Sequence, residues 1–230
     1  MKATLARRLT AEFFGTMFLL AAVVGSGIMG ERLAAGNAAI ALLANSIATG
    51  AALVAIIMTF GPISGAHLNP VVTLADAWQG GMAWRETPAY LVAQTAGAFV
   101  GTALANAMFG LAVFSTSTHI RSGPAQLLGE FLATFGLLTV IWGCVRYRPS
   151  AAPFAVGAYI TGAYWFTSST SFANPAVTLA RSVTNSFAGI RPVDVGPFVC
   201  AQLMGAFAAT LLFQRLMPSL TVEAVKDQKR

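Results

Sequence analysis

Charge is the scarcest property of this chain. Of 230 residues, 14 are Lys or Arg and 8 are Asp or Glu, 10% in all, where a soluble domain carries about a quarter. So few charges cannot coat a water-soluble globule. Cysteine occurs twice, as Cys144 and Cys200 in two separate apolar tracts, with no Cys-x-x-Cys. That pattern reads as two small core residues, and it argues against a disulfide or a thiolate metal site. Histidine also occurs only twice, and His67 and His119 fall in different loops. With no nucleophile–base pair either, no catalytic residue, metal site or cofactor is expected. Long polar stretches are missing too. The connections at 30–36, 115–123 and 146–149 are too short to hold a soluble domain.

What the chain has is apolar sequence, 56% of its residues. Six apolar tracts, at roughly 10–29, 38–60, 88–114, 124–145, 151–168 and 195–217, each approach the ~20 residues of a spanning helix. An all-α integral membrane protein is expected, lying in the cell (inner) membrane. Six spans put both termini on one side. With the termini inside, ten Lys and Arg fall in cytoplasmic segments (Lys2, Arg7, Arg8, Arg85, Arg146, Arg148, Arg215, Lys226, Lys229, Arg230) and four outside (Arg32, Arg121, Arg181, Arg191). The positive-inside rule therefore places the termini in the cytoplasm. This bias accounts for the net charge of +6, and no nucleic-acid partner is implied. The basic start at Lys2, Arg7 and Arg8 before an apolar run has the form of a signal peptide. The run is long for one and has a counterpart later in the chain, so it is read as the first span. The tail from Pro218 is polar and expected to fray.

Two stretches outside the six tracts organise the rest. One runs Ser64-Gly65-Ala66-His67-Leu68-Asn69-Pro70-Val71-Val72-Thr73-Leu74-Ala75-Asp76, the other Ser171-Phe172-Ala173-Asn174-Pro175-Ala176-Val177-Thr178-Leu179-Ala180-Arg181. Asn-Pro starts a helix, with Asn as cap and Pro in the first helical position. Gly80-Gly81 and Ser186–Gly189 then break each run after about ten residues. Ten residues make roughly 15 Å, half a hydrocarbon core. Two half-helices follow, with irregular backbone at membrane depth that only protein or a watery cavity can satisfy.

Further pairs recur in the same order. Glu12-Phe13-Phe14-Gly15-Thr16 matches Glu130-Phe131-Leu132-Ala133-Thr134, and Ala93-Gln94 through Thr102 matches Ala201-Gln202 through Thr210. Three spans per repeat is an odd number, so the halves, about 1–115 and 124–230, lie in opposite orientations within a single channel domain over 1–230. Ala93, Gly97, Gly101 and Ala201, Gly205, Ala209 are small-residue stripes that let helices pack closely. Gln94 and Gln202 are expected to bond between helices. Glu12 and Glu130, acids inside spanning tracts, are candidates for a proton relay. Their matched places favour a structural role, accepting N–H groups of the irregular loops. Inverted half-helices bring two N-termini together near the midplane, each carrying roughly +0.5 of a charge. Asn69 and Asn174 can then offer amide donors to a lumen that passes small uncharged solutes and repels cations.

These residues resemble the aquaporin and aquaglyceroporin channels, the major intrinsic proteins. Asn174-Pro175-Ala176 is an intact Asn-Pro-Ala box, and Asn69-Pro70-Val71 is a one-residue variant. The resemblance covers essentially the whole chain. It implies an aquaporin-like fold of six transmembrane helices plus two half-helices, one pore per subunit, and a homotetramer in the lipid bilayer. It also implies a filter beyond the boxes, where an Arg usually follows the second box; here that place is Val177. The other filter positions by box-relative spacing are Thr49, Ser171 and about Gly162, the last with its register open by a residue or so. Thr, Gly, Ser and Val make a wide, uncharged ring. Arg181, one turn past Val177, is read as lining the outer mouth or pairing with a loop, with a displaced filter arginine as the alternative. Among family members this filter most resembles that of bacterial channels associated with arsenic resistance. That implies passage of arsenite and other metalloid hydroxides, methylated arsenicals, glycerol and water. A general water and glycerol facilitator, a proton-coupled transporter and a structural membrane protein with a vestigial pore are the competing readings.

Overall fold

The computed structural model describes residues 3–216. Lys2, Lys226, Lys229, Arg230, the tail from Pro218, and Met217 at the end of the sixth apolar tract lie outside the described residues. Six long helices and two short ones run in the order α1 (Leu5–Leu33), α2 (Ala38–Ser64), α3 (Pro70–Trp78), α4 (Thr87–Met108), α5 (Pro124–Tyr147), α6 (Ala152–Phe166), α7 (Pro175–Arg181) and α8 (Pro192–Leu216). Five, with α4 counted from Trp84, are long and apolar enough to cross a membrane. The fifth apolar tract forms a shorter helix than its hydropathy implies. Helix α6 has 15 residues, because Ala151 belongs to a separate 3-10 turn over Pro149–Ala151 and the backbone turns extended at Thr167. Turn and helix together span about 28 Å. The third tract is also longer than its helix. Residues 109–114 are apolar, but Leu111 N bonds back to Asn106 O and Gly110 takes a positive φ of 70°, which ends α4.

Polarity is inverted relative to a soluble protein. Phe18, Ile47, Val92, Leu128 and Phe207 are each more than half exposed, while Glu12, Thr16, Gln94, Glu130, Thr134 and Gln202 are completely buried. An apolar exterior of this kind faces lipid. Small residues fix how the helices meet. A Cβ on Gly97 would strike Phe13 O, one on Gly101 would strike Met17 O, and one on Gly205 would strike Phe131 O. Helix α4 therefore lies against the backbone of α1, and α8 against that of α5. Helices α2 and α6 cross at Gly50 and Gly157, each of which leaves no room for a Cβ beside the other's carbonyl. The short helix α3 packs on α4 and α8, and α7 packs on the same two.

One face of the bundle carries Arg8, paired to Glu86 at 2.9 Å, and Arg146, which donates to Gln79 Oε1 at 2.7 Å. It is called the terminal face below. The opposite face is closed by the segments 109–123 and 182–191, which hydrogen-bond to each other through Ser115 N to Val183 O, Ser117 N to Ser182 O and Arg191 N to His119 O.

Candidate functional site

The two Asn-Pro starts are helix caps. Asn69 has extended backbone and its side-chain Oδ1 accepts from Val71 N, with Pro70 first in α3; Asn174 Oδ1 accepts from Ala176 N and Val177 N, with Pro175 first in α7. At nine and seven residues, the helices reach only about 13 and 10 Å. Helix α7 stops short of the glycine break because Ser182 O and Val183 O accept from Ser117 N and Ser115 N, and Arg181 O accepts from Ile190 N. The loop across the face captures the backbone before another helical turn forms.

The chain enters both caps through left-handed residues. Ala66 and Leu68 have φ of 47° and 53°, and Thr170, Ser171 and Ala173 have φ of 62°, 50° and 49°. Each costs about 1–2 kcal/mol for a residue with a Cβ. The buried carboxylates offset this. Glu12 Oε1 accepts from His67 N at 3.0 Å and Ser64 Oγ at 2.6 Å; its Oε2 accepts from Leu68 N at 2.7 Å and Gln94 Nε2 at 2.8 Å. Glu130 accepts from Phe172 N at 2.8 Å, Ala173 N at 2.9 Å and Gln202 Nε2 at 2.6 Å. Hydrogen bonds to a charged group are worth about 1.5–3 kcal/mol each, so four offset the two strained residues of the first approach and three offset the three of the second. Both glutamines also donate to a threonine of the short helix, Gln94 to Thr73 and Gln202 to Thr178.

Between the two caps the chain makes a reciprocal contact. Asn69 Nδ2 donates to Ala173 O and Asn174 Nδ2 to Leu68 O, both at 2.8 Å. An amide carries two hydrogens. The other hydrogen of each has no partner among the described residues, and both asparagines line a cavity of about 300 Å³. This cavity extends from Val145, Ala152 and Asp76 near the terminal face to Arg181 and Ser171 near the opposite one. One wall is apolar, with Val23, Leu53, Ile57, Val156 and Ile160; the other is the irregular backbone of residues 65–68 and 171–173. Near the terminal face His67 Nε2 lies 3.7 Å from Asp76 Oδ2, and its Nδ1 lies 3.1 Å from Thr73 Oγ1. Among the described residues no three His, Cys, Asp or Glu gather as a metal site, and both cysteines are free.

Of the four ring positions, Thr49, Ser171 and Val177 line the cavity. Gly162 does not. It is exposed on α6, and a Cβ there would meet open space. The α6 residue that does line the cavity is Tyr164, which is buried, with its hydroxyl 3.2 Å from Thr49 Oγ1. Two residues along a helix is about 200°, so a two-residue register error moves a position to the far side. Helix α6 therefore presents a phenol to the cavity where a glycine was expected. Its period-compatible neighbours Val156 and Ile160, four apart and both on the cavity, carry the signal that points to Tyr164.

Arg181 also lines the cavity. Its Nε donates to Ala188 O and its guanidinium lies over the Phe172 ring, 3.4 Å from the centroid. Arg121, unassigned from the sequence, lies over the same ring at 4.9 Å. It donates to Gly189 O, Ser169 O, Phe187 O and Thr170 Oγ1. Burial pushes its guanidinium down to about 10, so it stays charged at neutral pH and braces the loops.

The profile of the Major intrinsic protein family matches residues 1–171 and 148–229. The chain belongs to the major intrinsic protein family. As a major intrinsic protein it is 54% identical over 213 residues to Aquaglyceroporin AqpS of Rhizobium meliloti (strain 1021), covering 93% of this chain and 91% of that one. It is 30% identical over 234 residues to a Glycerol uptake facilitator protein of Streptococcus pneumoniae, covering 89% and 97%. An X-ray structure of the aquaglyceroporin from Plasmodium falciparum shares the fold, with a TM-score of 0.75 at 20% identity over 94% of this chain and 98% of that one. The family is one of membrane channels, and in this chain the two half-helix starts with their paired asparagines border the cavity.

Proposed function

We propose that this channel passes small uncharged solutes passively, among them glycerol, water, arsenite and other metalloid hydroxides, and methylated arsenicals. The observation that carries the reading is the cavity itself. It runs past two half-helix starts whose asparagines keep one amide hydrogen each for a solute, opposite an apolar wall that competes for none. A neutral polyol or trihydroxy acid exchanges its water for these donors and for the backbone oxygens of the other wall. A cation meets the positive ends of two helices and has no carboxylate at the centre. Glu12 and Glu130 are off the cavity, with their oxygens occupied by N–H and O–H donors, which favours a channel over a proton-coupled carrier.

The metalloid part of the range rests on the outer ring. Val177 stands where the resemblance implies an arginine, and Thr49 and Ser171 are small. Tyr164 makes this ring narrower than four small side chains would, while its hydroxyl gives a solute a hydrogen-bonding partner. The similarity to AqpS points the same way. In this reading residues 1–230 form one channel domain of two inverted repeats, about 1–115 and 124–230, assembled as a homotetramer in the cell membrane. The terminal face, with six of the described Lys and Arg (Arg7, Arg8, Arg85, Arg146, Arg148, Arg215) against four on the other, is cytoplasmic. Stopped-flow light scattering on proteoliposomes, with a solute series from water to methylated arsenicals, tests the range. Water flux without glycerol or arsenite flux would sink it.

A further inference from the structure

Two buried arginines lie near the end of the cavity opposite the terminal face, Arg181 lining it and Arg121 behind the Phe172 ring, with no ion pair among the described residues to balance them. Arg121 is 7% exposed and Arg181 is 2% exposed. Neither guanidinium has a carboxylate oxygen within 4.0 Å among the described residues. They differ in what their donors do. Arg121 spends its N–H groups on three carbonyls and the Thr170 hydroxyl. Arg181 spends one, from Nε, on Ala188 O; its Nη1 and Nη2 bond to no other described residue, and it faces the cavity. A second group there is also unsatisfied. Ser171 is 3% exposed, lines the same cavity, and its Oγ is buried without a hydrogen-bond partner. A buried donor left unpaired costs about 1–3 kcal/mol, and a charged one more. Arg181 and Ser171 border one cavity, and neither the Arg181 Nη atoms nor the Ser171 Oγ has a hydrogen-bond partner among the described residues.

The planar fork of an arginine matches the spacing of two oxygens on one centre. Phe172 holds the fork from below by its ring face, and Arg121 on the same ring adds a second positive charge. We propose that the Arg181 guanidinium and the Ser171 hydroxyl form an oxyanion-binding subsite at this end of the cavity, taking small inorganic oxyanions such as phosphate. The anion is held there and obstructs neutral solutes. Passing further requires it to shed water against the apolar wall of Val156 and Ile160. The inference rests on the reading of the cavity as a conduit and adds to it a ligand and a form of inhibition.

The test is glycerol permeability of reconstituted wild-type protein against a series of inorganic phosphate concentrations at pH 7. Phosphate is present on both sides of the vesicle, with ionic strength held by sodium chloride. Permeability should fall along a saturating curve. Arg181→Gln should shift the midpoint by roughly tenfold or more, the size of one lost charge-assisted contact. Ser171→Ala should shift it less, and Arg181→Lys should lie between. Absence of phosphate inhibition in the wild type, or an unchanged midpoint in Arg181→Gln, overturns the subsite. If Arg181→Gln does not fold, the wild-type curve and Ser171→Ala decide. If glycerol does not pass at all, the proposed solute range fails, and water permeability under the same phosphate series still tests the subsite.

Discussion

Asn69 and Asn174 each donate a side-chain amide hydrogen to the carbonyl just before the other, Asn69 to Ala173 O and Asn174 to Leu68 O, both at 2.8 Å. Two half-helices from opposite halves of the chain are thereby tied cap to cap, and each asparagine keeps one amide hydrogen free on the cavity. The same side chain closes the helix, joins the halves and borders the cavity. Few substitutions there can affect only one of these.

Replacing either asparagine with aspartate puts a carboxylate against a carbonyl oxygen and removes the positive end of the barrier. Asn69→Asp and Asn174→Asp should admit cations, read as a potassium or proton leak in proteoliposomes. Two cation-tight variants would place the barrier elsewhere.

Val177→Arg adds a long cation to the ring made by Thr49 and Tyr164. Glycerol and arsenite flux should drop by roughly tenfold or more, as expected for more than ~1.4 kcal/mol of added barrier, and water flux should drop less. Equal losses for all solutes, or none, contradict a filter role for this position.

Tyr164 and Gly162 make a paired test of which face of α6 meets the pore. Tyr164→Ala should widen the ring and raise the ratio of glycerol to water permeability. Gly162→Phe, on the exposed face, should leave that ratio unchanged. Reversed outcomes would mean α6 is rotated from its position here.

Glu130→Gln replaces an oxygen that accepts N–H groups with an amide nitrogen that cannot. At least one of Phe172 N, Ala173 N and Gln202 Nε2 loses its partner. The expected cost is about 2–3 kcal/mol, one buried group unsatisfied plus the lost charge. It is checked by the thermal aggregation midpoint in detergent, and an unchanged midpoint is the contrary result.

Gly101→Val acts on packing instead. Its side chain would enter the space held by Met17 O, a backbone atom that cannot turn aside. We expect a loss of folded protein by size-exclusion chromatography, since forced overpacking costs about 1–3 kcal/mol or more.

The amino-acid sequence by itself determined what depends on local pattern. Apolar length marks the spans, Asn-Pro marks the starts of α3 and α7, and the matched pairs Glu12/Glu130 and Gln94/Gln202 stand out as repeats. Hydropathy misjudged the ends. It carried the third tract past Met108 and the fifth past Phe166, because the backbone turns at Gly110 and runs extended from Thr167, ending both helices without any change in polarity. The rest was decided by tertiary structure. Spacing from the Asn-Pro box pointed to Gly162, yet the crossing of Gly50 and Gly157 sets the rotation of α6 and turns Tyr164 to the lumen. Arg181 gains its place from Phe172, which the chain's entry into α7 lays beneath it, and from Ala188, which adjoins it once the loop over 182–190 folds back. A helix's existence follows from its own residues, but its rotation about its axis follows from what it packs against, and that rotation chooses the side chains a solute meets.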